Sequence, residues 1–216
     1  MVTSCRKEEL YRTVFHEIGH YAVIRSLELP VELIYIEVTD DDSVGYCQQP
    51  KGSTLDDFDE GVVKIAGEVA ENLYLPPSPE DLSEIRWSKD REELEACISK
   101  IQGYLAKPQK RSSMIKKYAG FVEEVGETVC VDASSPNWDM ITNSFNLTQE
   151  FQLIPDFFRQ SAYCLARKHL LDEDPDVLRH LTDYVMSRCP NPGEVCSWRV
   201  SGADLDAERA AYFATK

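Results

Sequence analysis

The chain has 216 residues, 43% hydrophobic and 28% charged, which is ordinary globular composition and enough length for one sizeable core. Its formal net charge of −15 argues against nucleic acid and anionic membranes as partners, since both would repel the average surface. No apolar run approaches the ~20 residues needed to span a bilayer, and the N-terminus lacks the basic-then-apolar layout of a secretory leader, so a soluble, cytoplasmic protein is expected.

Ser4 can cap a first helix, with Glu8 and Glu9 near the positive end of its dipole and Leu10, Val14, Ile18 and Ala22 at helical spacing. Pro30 ends it. Gly19 stands inside this helix at a cost of ~1 kcal/mol relative to Ala, which a second backbone passing close by would justify. Residues 31–38, V-E-L-I-Y-I-E-V, are rich in β-branched and aromatic types, and after an acidic turn residues 44–48 form a second extended piece. A small hairpin is expected, with 31–38 as the strand whose edge could align an extended peptide. Leu55, Phe58, Val62, Ile65, Val69 and Leu73 then define an amphipathic helix from Ser53 or Thr54 to just before Pro76. Its other face carries Ala66, Gly67 and Ala70, small enough to admit the first helix closely.

The P-P-S-P at 76–79 interrupts the pattern, and Ser88 can cap a helix over 90–105, with Pro108 just beyond. Further helices are expected at 112–125, 147–171, 176–188 and 204–213, with a polar surface connection at 131–146 and a boundary or kink at Pro155. The seven cysteines are scattered and form no C-x-x-C pair, which indicates reduced thiols rather than a disulfide framework or a structural zinc site. Asn146-Leu147-Thr148 matches a glycosylation sequon, but without a secretory route Asn146 is expected at a turn or helix start.

Within the first helix, residues 15–21 read F-H-E-I-G-H-Y. Residues four apart share a helix face, so His16 and His20 can present nitrogens to one metal ion, while Glu17, about 100° round the helix, can reach a metal-bound water. A catalytic zinc site uses three protein ligands plus water, and this motif supplies two. Chemistry alone leaves Glu68, Glu71, His169 and His180 available beside the aspartates; the three-histidine signature fails because Val23 and Ser26 occupy its next fixed positions.

H-E-I-G-H, a hydrophobic strand, V-G-Y-C-Q and I-A-G-E-V-A-E-N-L follow one another in that order. Together they resemble the peptidase domain of the FtsH family over residues 8 to about 100, the remainder matching only in being helical. The resemblance implies a mainly α fold: a helical, zincin-like peptidase domain at 1–107 with a small β-hairpin, followed by additional helices at 108–216 packed on it as one continuous domain. It implies Zn²⁺ as cofactor, His16 and His20 as ligands, Glu17 as the base that activates the zinc-bound water, and a downstream aspartate as third ligand. Asp90, at the start of a helix after the G-x-x-A-E segment, is the candidate, although its S-K-D-R-E-E-L differs from the family's G-A-x-N-D-L. Asp206 is the alternative third ligand, since S-G-A-D-L-D-A-E-R-A resembles the ligand segment more closely, whereas the family continues with further helices after its ligand.

The expected function is therefore hydrolysis of peptide bonds in short or unfolded substrates, independent of ATP because the likeness includes no ATPase module. A separate ATPase or adaptor is a candidate partner, and oligomeric state does not carry over from the family. The alternative is a catalytically silent protein that uses the same scaffold as an interaction or regulatory module.

Overall fold

The computed structural model describes residues 4–40, 42–53, 55–76, 88–129, 155–191 and 194–216. Among these the chain is mainly helical, with seven helices and a three-stranded antiparallel sheet. Helix α1 (Ser4–Ser26) leads into β1 (Leu33–Val38) and β2 (Ser43–Gln48), followed by α2 (Asp57–Tyr74), α3 (Ser88–Leu105) and α4 (Pro108–Val129). Then come α5 (Pro155–Leu171), α6 (Pro175–Ser187), β3 (Cys196–Ser201) and α7 (Gly202–Ala214). No helix among the described residues is long and apolar enough to cross a membrane.

Local chemistry sets the element boundaries. Helix α2 starts after Asp56 rather than at Ser53 or Thr54, because the Asp56 carboxylate accepts the Phe58 N–H at 3.1 Å and satisfies a first-turn donor. Asp174 caps α6 in the same way, with Pro175 in the first turn where its missing N–H costs nothing. Pro155 likewise opens α5 instead of kinking a longer helix. The expected connection at 131–146, the sequon at Asn146 and residues 147–154 of the expected helix lie outside the described residues.

The hairpin is present, with Tyr35 opposite Tyr46. A third strand, not anticipated from the sequence, pairs with the other side of β1 and sets Arg199 opposite Tyr35. Its sequence C-S-W-R-V-S alternates as a half-buried strand must, with Trp198 and Val200 inward and Ser197 and Arg199 outward. Strand β1 is therefore central and bonded on both sides, so it has no edge to offer a peptide, and the expectation placed on residues 31–38 passes to β2.

One apolar cluster extends from Leu10 to Leu205 and includes residues on both sides of position 107. Phe58, Phe121 and Phe158, from α2, α4 and α5, meet with ring centroids 5.3, 5.4 and 5.8 Å apart and anchor the later helices to α2. The opposite side of α2 is built for α1. A Cβ on Gly19 would stand 2.6 Å from the Ala70 Cβ and 3.0 Å from the Ala66 carbonyl oxygen, so the two backbones approach as closely as glycine and alanine permit.

Gly19→Ala should therefore destabilise the protein by about 1–3 kcal/mol through overpacking, even though alanine alone would favour the helix by ~1 kcal/mol. Thermal unfolding checks this: the midpoint falls in Gly19→Ala and recovers in part when Ala70→Gly is added. A midpoint that rises in the single variant contradicts the close approach.

Candidate metal centre

The middle of α1 carries His16, Glu17 and His20, and each histidine is fixed through its Nδ1. His16 Nδ1 lies 2.8 Å from Glu71 Oε1, and His20 Nδ1 lies 2.7 Å from the Val63 carbonyl oxygen, both on α2. A carbonyl oxygen can only accept, so His20 Nδ1 bears the ring proton. The Glu71 carboxylate selects the same tautomer at His16. Both Nε2 atoms are then free of ring protons, and both meet Asp90 Oδ2 of α3, at 2.8 Å from His16 and 3.3 Å from His20.

Three electron-pair donors thus converge. While both rings are neutral, with their protons on the far nitrogens, Asp90 Oδ2 is buried and has no hydrogen-bond donor aligned on it. Such an arrangement is stable only with a cation among the three atoms, either a proton or a metal ion. Ligands ~2.05 Å from one centre at tetrahedral angles stand roughly 3.3 Å apart, close to the separations seen here. Among the described residues, His16, His20 and Asp90 form a group able to hold a metal, their ligand atoms all within 4.8 Å of one another. Two neutral imidazoles and a carboxylate suit a borderline ion such as zinc.

Electrostatics follow from the same contacts. Burial alone would lower the pKa of His16, but hydrogen bonds to Asp90 and Glu71 outweigh it and raise the value from 6.5 to about 10. Burial pushes Asp90 upward, yet bonding to His16 and His20 holds its carboxyl well below the ordinary carboxylate range. Glu71 is in turn flanked by the Arg12 guanidinium, 3.7 Å from its second oxygen and buried, one helical turn before His16. A chain of alternating charge therefore backs the histidine from inside the fold.

Glu17 occupies the other wall. It is buried against β2, where a Cβ on Gly45 would lie 2.6 Å from Glu17 Cγ, so only glycine leaves room for it. Burial raises its pKa, with His20 and His16 pulling the other way. Gly67 has the corresponding part for His16, since a Cβ there would fall 2.3 Å from His16 Nε2. His16, Glu17, His20 and Asp90 all line an open cleft of about 560 Å³, together with Gly45 and Lys89.

The remaining candidates stand elsewhere. Asp206, on α7, accepts the Tyr21 hydroxyl at 2.7 Å and pairs with Arg25 at 3.0 Å, away from the histidine nitrogens. Glu68 is held by Arg91 through two bonds of 2.9 and 3.0 Å. Glu71 meets the histidine on its Nδ1 side, opposite the nitrogen that faces Asp90. His180 is paired with Glu208 at 2.7 Å, and burial lowers the pKa of His169. The supporting positions Arg12 and Val63 were not foreseen; the signal for Arg12 was its place four residues before His16, on the stripe that faces α2.

The chain matches no known protein-family model and no curated protein.

Glu71→Gln removes the charge behind His16 and should weaken metal binding about 10–100-fold, measured by competition with a chromogenic chelator. A second outcome concerns pH. Because the folded pKa of His16 lies above its unfolded value, the His16–Asp90 pair stabilises the metal-free protein fully below about pH 6.5, and that contribution is lost as pH rises towards about 10. The thermal midpoint of the metal-free protein should fall across this window relative to Asp90→Asn; parallel curves for the two proteins would contradict the pairing.

Proposed function

We propose that the protein is a zinc-dependent peptidase, with a zincin-like arrangement of the kind the FtsH-like motifs imply, acting on peptides or unfolded segments without ATP. The observation that carries this reading is the convergence of His16 Nε2, His20 Nε2 and Asp90 Oδ2 beside a buried glutamate in an open cleft. His16, His20 and Asp90 would hold the ion. Zinc, when bound, supplies a Lewis acid for a carbonyl and lowers the pKa of a coordinated water to about 7.

The residues of the chain account for the rest. Glu17, one position after His16 on α1, takes the proton of the attacking water and returns it to the leaving amine, as a general base and then a general acid. Burial serves this role, because a raised carboxyl pKa makes the carboxylate a stronger base towards the water proton. Glu71 and the Val63 carbonyl keep the imidazoles in the tautomer that leaves Nε2 free for a cation. The substrate chain is aligned by β2. Thr39 N–H donates to the Asp42 carbonyl at 2.8 Å, and continuing the antiparallel alternation from this pair turns the main-chain groups of Gly45 and Cys47 to the free edge of the sheet. An extended peptide added there would run alongside Glu17.

The expected outcome is about one tightly bound zinc per chain, lost in Asp90→Ala and retained in Asp206→Ala, measured by metal analysis after gel filtration. Glu17→Gln should keep the metal and lose hydrolysis of an unstructured fluorogenic peptide by about 10²-fold or more. A protein that stays metal-free under zinc-replete conditions, or a Glu17→Gln variant of undiminished activity, overturns the reading.

A further inference from the structure

Outside the lining of the cleft, the end of α6 and the start of β3 bring two thiols together. Cys189 lies just past the C-terminus of α6, its N–H donating to the Met186 carbonyl at 3.1 Å, and is buried. Cys196 opens β3 opposite Val38 of β1 and is half-buried. Their sulfurs stand 3.7 Å apart, in van der Waals contact, and Cys196 Sγ is also 3.7 Å from the Asn191 carbonyl oxygen. Both are free thiols. The two elements are already tied beside them, since Trp198 Nε1 on β3 donates to the Val185 carbonyl of α6 at 3.0 Å. The sulfurs are therefore held in contact by secondary structure on either side, and a bond between them requires only a local side-chain movement.

We propose that Cys189 and Cys196 form an oxidisable dithiol that reacts with a low-molecular-weight disulfide of the glutathione class and closes into an intramolecular disulfide. Cys196, the more accessible, attacks first: its thiolate displaces one glutathione thiolate and leaves a mixed disulfide. Cys189 then loses its proton and attacks Cys196 Sγ, expelling the second glutathione as thiolate. Two protein thiols are oxidised, one glutathione disulfide is reduced to two glutathione thiols, and no other reactant is needed. The order of attack follows from exposure and from burial of Cys189, which with its hydrogen bond to Cys196 raises that thiol to about 11. Such a thiol is a slow first nucleophile at neutral pH, yet it resolves a mixed disulfide held in contact with it, because the second step is intramolecular. The new bond fixes the end of α6 to β3; α6 packs on α1 and β3 pairs with β1, so the scaffold behind the histidine-bearing helix becomes covalently closed.

The test treats the full-length protein with excess glutathione disulfide, blocks remaining thiols with iodoacetamide and maps the peptides by mass. A peptide pair linked through Cys189 and Cys196, together with a thermal midpoint that rises on oxidation and returns with dithiothreitol, is the expected result. Cys189→Ala should accumulate a lasting glutathione adduct on Cys196, and Cys196→Ser, a half-exposed position that does not challenge folding, should lose both the linkage and the midpoint shift. Alkylation of both cysteines in the treated wild-type protein, or a stable adduct on Cys196 with Cys189 still alkylated, overturns the proposal. None of these readouts depends on metal content or peptidase activity.

Discussion

The near contact of α1 and α2 fixes the histidine side of the candidate centre. Gly19 sets its backbone against Ala66 and Ala70, and Gly67 leaves the space that the His16 ring occupies. With bulkier residues the helices would separate, and the bonds from His16 to Glu71 and from His20 to the Val63 carbonyl would lengthen beyond use, because a hydrogen bond fails within a few tenths of an ångström of its limit. The packing of two helices is thus also the device that selects a histidine tautomer. A glycine that weakens α1 as an isolated helix is what makes its functional face usable.

Charge at the centre is organised in the same layered way. In a chain of net charge −15, a buried carboxylate needs a local partner. Glu71 has two, the Arg12 guanidinium behind it and His16 in front. Asp90 enters from the first turn of α3, where the helix dipole favours an anion, and faces both imidazoles. Positive Arg12, negative Glu71 and the His16 ring stand in series before Asp90, so a cation bound among His16 Nε2, His20 Nε2 and Asp90 Oδ2 would continue an alternation that the protein interior has already begun.

Periodicity and spacing made much of this legible. The i, i+4 histidines, the hairpin, the apolar stripe of α2 and its small-residue face are all properties of short stretches, and short stretches carry the physics of local structure. The third strand was not legible, because six residues of modest alternation acquire meaning only when β1 lies beside them. The place of Glu71 was hidden for another reason. From sequence it is simply a carboxylate on the right helix, and whether it meets Nδ1 or Nε2 of a histidine depends on the rotation of one helix against another. Asp206 shows how a likeness arises without a shared role: Ser201 accepts the Asp204 N–H at 3.1 Å, so S-G-A-D is helix-capping chemistry, and the aspartate two residues on serves Tyr21 and Arg25.

Glu17 shows how the site and its surroundings depend on one another. Pressed against Gly45 and shielded from water, it would by burial alone retain its proton higher in pH than an ordinary glutamate, and a protonated carboxyl is no base. His20 and His16, its neighbours on α1, pull the pKa the other way without cancelling the rise. A divalent ion at those histidines and Asp90 would add more, drawing the carboxyl pKa down while the apolar wall keeps it from falling to the solvent value. In the proposed mechanism His16, His20 and Asp90 would thus hold an ion that favours the ionised form of Glu17 as well as supplying the Lewis acid. Glycine at position 45 sets the balance, because it decides how deeply the carboxylate is buried.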